Sequence, residues 1–230
     1  MFYRIAISLV LLTGCAGAAQ AQPCRARDTV IATRAAWQDT GRNKIVRLRS
    51  FIPGIATDMR YASPGNFTHT TLYASNADAY MHIIPAQALA RVQQDLKKQG
   101  LGLKIYDAYR PFSITCRIWR LVPDRRYAAN PRNGSHHNRA IAVDLTLIDL
   151  RTGKELDMGT GFDNFTDSAH HDFAALPPQV LQNRRLLRSV MTRHGFNAVP
   201  TEWWHYHWHD KKYDLLDLSF ADMQVLAVGR

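Results

Sequence analysis

The amino-acid sequence predicts an α+β fold, with helices packed against one mostly antiparallel sheet. Segments with helical periodicity and segments with strand alternation are mixed along the chain, without the regular succession of βαβ units. The 230 residues, 46% of them hydrophobic, are enough for a single domain with its own core. We therefore expect one domain, with any functional cleft lying at the sheet.

The first 21 residues are expected to be an export signal. Arg4 precedes an apolar run over residues 5–12, which is too short to span a membrane, and small residues follow up to Gln22. Two processing routes stay open, because AQA before Gln22 is a small-x-small cleavage site and LTGC, ending at Cys15, resembles a bacterial lipobox. We expect an exported, periplasmic protein without a membrane span, either soluble or lipid-anchored through Cys15.

Residues 22–44 are expected to form an N-terminal extension, with a short helix over 29–37, and residues 45–230 the main domain. Cleavage after Ala21 would leave two cysteines, Cys24 and Cys116. In an oxidising compartment they could form a disulfide, and the alternative is two unpaired thiols. The sequence leaves both open, because it does not give the distance between the two Cα atoms.

The remaining elements follow in order along the domain. Residues 85–100 read as a helix, with Pro85 in the first turn and Gly100 past the end. The other expected elements are a strand over 103–109, a helix over 111–122, a strand over 140–150, a helix over 177–195 and a strand over 201–210.

The formal net charge of +10, from 29 basic and 19 acidic residues, indicates anionic surroundings such as lipid headgroups or cell-wall polymers. A nucleic-acid partner is not expected, because the basic residues are scattered and no recognition motif surrounds them. The alternative is a solvated basic surface without a partner. The oligomeric state is not indicated by the sequence.

Asp144 stands out in the strand predicted over 140–150. Alternation places Val143 and Leu145 on a core face and Asp144 on the other face, within an otherwise apolar strand. A buried carboxylate needs a cation, hydrogen-bond donors or a metal as its partner. His137 lies seven residues earlier, where a chain entering the strand can bring it to Asp144.

The stretch TEWWHYHWHD, residues 201–210, offers three histidines on one face of a strand. Alternate residues are ~6.5–7 Å apart, so only one of them is expected to join a given metal site. Glu202 lies three residues before His205 and would face the opposite way on a regular strand. It can reach the same site only from an entry loop or a bulge.

One imidazole from each stretch, together with Asp144, would supply three ligands and leave a fourth position for water, as in catalytic zinc sites. The spacing of these residues does not by itself distinguish a zinc site from histidines that lie on the surface without a metal. The stretch SHHNRAIAVD matches S-x-H-x-x-G-x-A-x-D at every fixed position except Ala140, and EWWH matches E-x-W-H. Together they resemble the zinc D-alanyl-D-alanine peptidases.

Three further stretches resemble one branch, the VanX-type D-alanyl-D-alanine dipeptidases: DMRYASPGNFT, YDAYRP and LDMGTGFDNF. The resemblance spans roughly residues 45–210 in the family's order. It implies one zinc ion per chain, bound by His137, Asp144 and His205. It also implies that Glu202 is the general base and later the acid that protonates the leaving amine.

The same resemblance implies that Arg110 polarises the scissile carbonyl. Ser135 is a candidate donor to the substrate carboxylate and Asp163 a candidate acceptor for its ammonium, although a turn residue and a loop cap are the alternatives. Ala140 departs from the motif, which has glycine at its position. Alanine is strained there if that position requires φ > 0.

The implied activity is zinc-dependent hydrolysis of a small D,D-dipeptide to free D-amino acids. Two alternatives remain. A D,D-carboxypeptidase acting on cell-wall peptides would use the same metal site, and a non-catalytic module would bind zinc or cell wall without turnover.

Overall fold

The computed structural model describes residues 24–38 and 41–227, so the export signal predicted for residues 1–21 lies outside the described residues. The strands are β1 (Val30–Ile31), β2 (Ile45–Arg47), β3 (Ala56–Thr57), β4 (Tyr80–His82), β5 (Leu101–Asp107), β6 (Ala142–Asp149), β7 (Phe196–Ala198), β8 (His205–Trp208) and β9 (Leu215–Leu216). The helices are α1 (Leu48–Phe51), α2 (Ile83–Lys97), α3 (Phe112–Leu121), α4 (Pro178–Arg193) and α5 (Phe220–Leu226).

A five-stranded sheet in the order β3-β5-β6-β8-β7 forms the centre of the fold. The β5–β6, β6–β8 and β7–β8 pairs are antiparallel, and β3–β5 is parallel. Two smaller pairs flank it, β2 with β4 and β1 with β9. The prediction of an α+β fold with a mostly antiparallel sheet is confirmed.

The main hydrophobic core lies between one face of this sheet and the helices α2 and α4. Val143 and Leu145 of β6 belong to one buried cluster with Leu89 of α2 and Leu187 of α4. Burying such side chains contributes about 1.5–3 kcal/mol each, which holds the helices against the sheet. Asp144, on the other face of β6, is also buried, so β6 is covered on both sides.

The predicted helices and central strands agree with the structure to within about three residues at their ends, where assignments commonly vary. The helix predicted over 85–100 is α2, which begins at Ile83, so Pro85 lies in its first turn as expected. The helix over 111–122 is α3, the strand over 140–150 is β6, and the helix over 177–195 is α4. No helix in the described ranges is long and apolar enough to cross a membrane.

Two predictions were wrong in extent or type. The short helix expected over 29–37 is instead strand β1 followed by one 3-10 turn, Arg34–Ala36, because this segment pairs with β9 and tertiary pairing overrides a weak helical pattern. Of the strand expected over 201–210, only His205–Trp208 forms a strand, which is β8. The first residues of the expected strand form a turn in which the His205 amide donates to the Glu202 carbonyl oxygen at 3.2 Å.

The N-terminal segment is covalently attached to the domain. Cys24 and Cys116 form a disulfide with Cα atoms 5.9 Å apart and 92 residues between them in sequence. Of the two alternatives that the sequence left open, the structure therefore contains the disulfide. It fixes the start of the described chain against α3.

Candidate active site

The register of the sheet brings the three predicted metal ligands together. Asp144 on β6 pairs directly with His205 on β8, so their side chains share a face, and His205 Nδ1 lies 2.9 Å from Asp144 Oδ1. His137 lies in the 3-10 turn His137–Arg139, just before β6. Its Nε2 lies 3.2 Å from His205 Nδ1 and 3.3 Å from Asp144 Oδ2. All three side chains are buried.

This arrangement fits a zinc ion. Bonds of ~2.0–2.1 Å in tetrahedral geometry place neighbouring ligand atoms about 3.4 Å apart, close to the distances found here. His137 Nδ1 donates to the Ala108 carbonyl oxygen at 2.7 Å, which leaves Nε2 with a free lone pair towards the other two ligands. Two imidazoles and one carboxylate suit zinc, and three donors leave one coordination position open.

Asp107 is a buried carboxylate at the site that sequence reasoning missed. A β-bulge between Ile105 and Asp107 shifts the register, so Asp107 is opposite Asp144. Without the bulge, alternation would turn Asp107 towards the same core face as Ile105. The available signal was the aspartate three residues before Arg110 in YDAYRP.

Arg110 is held in place by Asp107. Its Nε and Nη2 donate to Asp107 Oδ2 at 3.0 and 2.7 Å, and its guanidinium carbon lies 5.0 Å from the centre of the Tyr61 ring. Burial acts to lower the pKa of Arg110, but the charge of Asp107 together with Tyr61, Tyr73 and Asp144 outweighs it and holds the pKa well above its ordinary value. Arg110 Nη2 lies 3.9 Å from Asp144 Oδ2, so a fixed cation lies beside the predicted metal ligands.

Glu202 lies in the turn before β8 and not on the strand itself. It can therefore face the same site as His205. Its Oε2 is 3.9 Å from His205 Nδ1, too far for a hydrogen bond. Burial raises the pKa of Glu202, and the negative charge of Asp144 also acts upward while His205 opposes the rise. A carboxylate with a raised pKa near a metal site, and not among its closest ligands, is suited to accept and return a proton.

A cavity of about 260 Å³ opens beside these groups. This is smaller than the ~300–1,000 Å³ of pockets for drug-sized ligands, so it suits a small substrate. Its polar lining includes all seven residues singled out in the sequence: Arg110, Ser135, His137, Asp144, Asp163, Glu202 and His205. Tyr127, Phe165 and Phe67 add an aromatic rim.

Asp163 lies in the segment LDMGTGFDNF and faces Tyr61, whose hydroxyl is 3.0 and 3.2 Å from its two carboxylate oxygens. Its backbone is left-handed, with φ of 57°, which is uncommon outside glycine and concentrates at functional sites. Burial raises the pKa of Asp163 well above its ordinary value, and the charge of Asp144 adds to the rise. Asp163 is thus a half-buried carboxyl, and no cationic side chain among the described residues forms an ion pair with it.

Ser135 lies in the turn that carries His137. Its hydroxyl oxygen accepts a hydrogen bond from the His137 amide at 3.2 Å, and its own amide donates to Asn138 Oδ1 at 2.8 Å. Asn138 Nδ2 in turn donates to the Arg110 carbonyl oxygen at 2.8 Å. Ser135 therefore stabilises the turn, and its hydroxyl hydrogen is left for a group in the cavity.

Ala140 has the left-handed conformation, with φ of 50° and ψ of 38°. Its side chain is fully buried, and its amide donates to the His137 carbonyl oxygen at 3.0 Å, closing the turn. The left-handed region costs an L-residue roughly 1–2 kcal/mol, which explains why the motif has glycine here. The strain is absorbed without separating the three ligand side chains.

Comparison with known proteins shows which family this chain belongs to. The Peptidase M15 family model, described as D-ala-D-ala dipeptidase, matches residues 41–225. A D-alanyl-D-alanine dipeptidase of Escherichia coli (strain K12) is 37% identical over 163 residues, covering 71% of this chain and 83% of that protein. Proteins of the same name are 31% identical in Enterococcus faecium, covering 72% and 92%, and 31% identical in Enterococcus faecalis (strain ATCC 700802 / V583), covering 78% and 98%.

Proposed function

This chain belongs to the D-Ala-D-Ala dipeptidase family of peptidases, and from that premise we propose that it hydrolyses D-alanyl-D-alanine to two D-alanines. It is a zinc metallopeptidase. The observation that carries the proposal is the meeting of His137, Asp144 and His205 in a small cavity that also receives Glu202 and Arg110.

His137, Asp144 and His205 would hold the zinc ion. Zinc in such a site lowers the pKa of a bound water to about 7 and polarises a carbonyl group. The hydrogen bond from His137 Nδ1 to the Ala108 carbonyl oxygen fixes the tautomer and the ring orientation that ligation requires.

Glu202 would take the proton from the attacking water as the water oxygen bonds to the peptide carbon. As the C–N bond breaks, Glu202 would give that proton to the leaving nitrogen, so that the second alanine departs as an amine. Arg110 would donate a hydrogen bond to the carbonyl oxygen as negative charge develops on it. Asp107 keeps Arg110 fixed, so little reorganisation is needed in the transition state.

The two ends of the substrate would be bound by Asp163 and Ser135. An ammonium group opposite Asp163 would favour the ionised form of this half-buried carboxyl, whose pKa is otherwise raised. The Ser135 hydroxyl can donate to the substrate carboxylate, since its oxygen already accepts from the His137 amide. Recognition of a free ammonium favours a dipeptide over a longer cell-wall peptide.

The test is D-alanine release from free D-Ala-D-Ala by the zinc-loaded mature protein. We expect Glu202→Ala to reduce turnover by roughly 10²–10⁴-fold with zinc still bound, because only the proton transfer is removed. His205→Ala should lose both zinc content and activity. Normal turnover in Glu202→Ala would refute the assignment.

An N-acylated dipeptide separates the dipeptidase from the D,D-carboxypeptidase alternative. A site that pairs the free ammonium with Asp163 should reject the acylated substrate, whereas a carboxypeptidase should cleave it. Zinc binding without cleavage of either substrate would indicate the non-catalytic module. Such a module would require neither Glu202 nor Arg110.

We also propose that the protein is exported to the periplasm, with residues 1–21 as its signal and the mature form either soluble or lipid-anchored through Cys15. The sequence pattern supports this, and so does the Cys24–Cys116 disulfide, which is typical of oxidising compartments. Mass spectrometry of the mature N-terminus distinguishes a chain starting at Gln22 from one starting at a lipidated Cys15. An uncleaved Met1 would refute export.

A further inference from the structure

A basic groove lies beside the disulfide, away from the metal ligands. It has a volume of about 710 Å³ and is lined by Arg25, Arg120 and Arg132, together with Trp119, Asn130 and Pro131. All three arginines are exposed, and none of the described residues that line the groove is acidic. The groove therefore presents unbalanced positive charge to solvent.

An exposed apolar side chain follows the groove residue Arg120 at the end of α3. Leu121 is 52% exposed, one of the few large apolar side chains with such exposure among the described residues. The nearby Trp119 is half-buried. Arginine beside exposed leucine and tryptophan is the composition of surfaces that rest on a lipid headgroup layer.

The start of the described chain also lies at this groove. The disulfide fixes Cys24 to α3, and the Arg27 amide donates to the Arg132 carbonyl oxygen at 2.8 Å. The described chain therefore begins at this face. The preceding sequence contains the apolar run 5–12 and, nine positions before Cys24, the lipobox Cys15. Nine residues reach at most about 30 Å.

We propose that the basic groove docks this protein on an anionic membrane surface. Its charge, the exposed Leu121 and the position of Cys24 at the groove, nine residues after Cys15, all favour lipid over a soluble anion. A basic patch attracts a protein to anionic lipid headgroups, and it is a usual second attachment for a protein that also carries a lipid group. The inference does not rest on the dipeptidase activity.

The test uses the mature chain beginning at Gln22, which keeps every described residue, in sedimentation with lipid vesicles. Phosphatidylcholine vesicles with about 30% phosphatidylglycerol are compared with pure phosphatidylcholine vesicles. We expect binding to the anionic vesicles alone. The triple variant Arg25→Gln/Arg120→Gln/Arg132→Gln should bind roughly 100-fold more weakly, about fivefold for each arginine.

The matched control removes three exposed arginines from α2 and α4, as Arg91→Gln/Arg185→Gln/Arg193→Gln, and changes net charge equally. Binding within about twofold of the unsubstituted chain is expected for this control, since these residues do not line the groove. Equal losses in both triple variants, or no preference for anionic vesicles, would overturn the proposal. Unchanged far-UV circular dichroism and melting temperature identify correctly folded variants, independently of catalysis.

Discussion

The strain at Ala140 can be measured by restoring the glycine of the motif. Ala140→Gly relieves roughly 1–2 kcal/mol of left-handed strain. It also loses a buried methyl, worth about 0.8 kcal/mol, and adds about 0.4–1 kcal/mol of unfolded-chain entropy. These terms nearly cancel, so we expect the free energy of unfolding in urea to change by less than about 1 kcal/mol, with turnover and zinc content preserved.

Ala140→Val is the informative companion variant. A β-branched side chain is an outlier at φ of 50°, and the position is fully buried, so we expect a loss of more than about 2 kcal/mol. A valine variant as stable as the wild type would show that the turn can leave the left-handed region. A glycine variant that loses zinc would show instead that the alanine methyl supports the metal ligands.

The resemblance predicted which residues would form the metal site, and the pairing of two strands explains why these residues meet in the structure. His137 and Asp144 flank a strand entry, and His205 opens the partner strand, so pairing of the two strands brings them together. Asp107 was not predictable by the same rule. Its orientation depends on a bulge, and alternation counted along a sequence does not reveal an extra residue in one strand.

Helix α4 supports the segment that carries Asp163. Arg184 donates from Nε to the Met158 carbonyl oxygen at 2.7 Å and from Nη1 to the His170 carbonyl oxygen at 3.1 Å. Its guanidinium carbon lies 5.9 Å from the ring centre of Trp203, the residue after Glu202. Arg184 is buried, and within the described chain no carboxylate lies within ion-pair distance of it. Its hydrogen bonds to two loops are what offset the burial of its charge.

Arg184→Lys should therefore loosen substrate binding. An ammonium group lacks the planar fork that reaches two carbonyl oxygens, so the Asp163 segment loses a fixed attachment. We expect KM for D-Ala-D-Ala to rise by about tenfold while kcat falls less, since an interaction with bound substrate is weakened throughout the reaction. Steady-state kinetics with zinc analysis would measure this.

The neighbouring exposed Arg185 supplies the control, and Arg185→Lys should leave both constants unchanged. A large fall in kcat with unchanged KM in Arg184→Lys would contradict a role in positioning Asp163. Loss of zinc from that variant would instead assign Arg184 to general stability.

Long elements were predicted better than short ones. The apolar stripes of α2 and α4 each repeat over four turns, and β6 is a strand of eight mostly apolar residues, so local pattern and tertiary burial agree. By contrast β1 has two residues and exists only because β9 pairs with it. The turn before β8 interrupts an alternating aromatic pattern, and that turn is what allows Glu202 to face the cavity.

The N-terminal segment contributes to the stability of the whole chain through the disulfide. Cys24 and Cys116 close a loop with 92 residues of separation, which includes α2, β5 and the first half of α3. Closing a loop of this length restricts the unfolded chain and stabilises the native state by about 2–5 kcal/mol. Phe112, Leu215 and Cys116 form a small buried cluster around the link.

Cys24→Ser/Cys116→Ser should lower the free energy of unfolding by about 2–5 kcal/mol, with a fall in Tm of roughly 4–20 °C, because each kcal/mol shifts Tm by ~2–4 °C at this size. Turnover at 25 °C should persist, since the disulfide lies outside the cavity that holds Glu202 and the predicted metal ligands.

A non-chelating phosphine reductant should lower the stability of the wild-type protein to that of the double variant and leave the stability of the double variant unchanged. If urea unfolding of the wild type is insensitive to a reductant that demonstrably frees both thiols, the disulfide does not stabilise the fold. Non-covalent contacts, such as the β1–β9 pairing and the hydrogen bond from the Arg27 amide to the Arg132 carbonyl oxygen, would then hold the N-terminal segment.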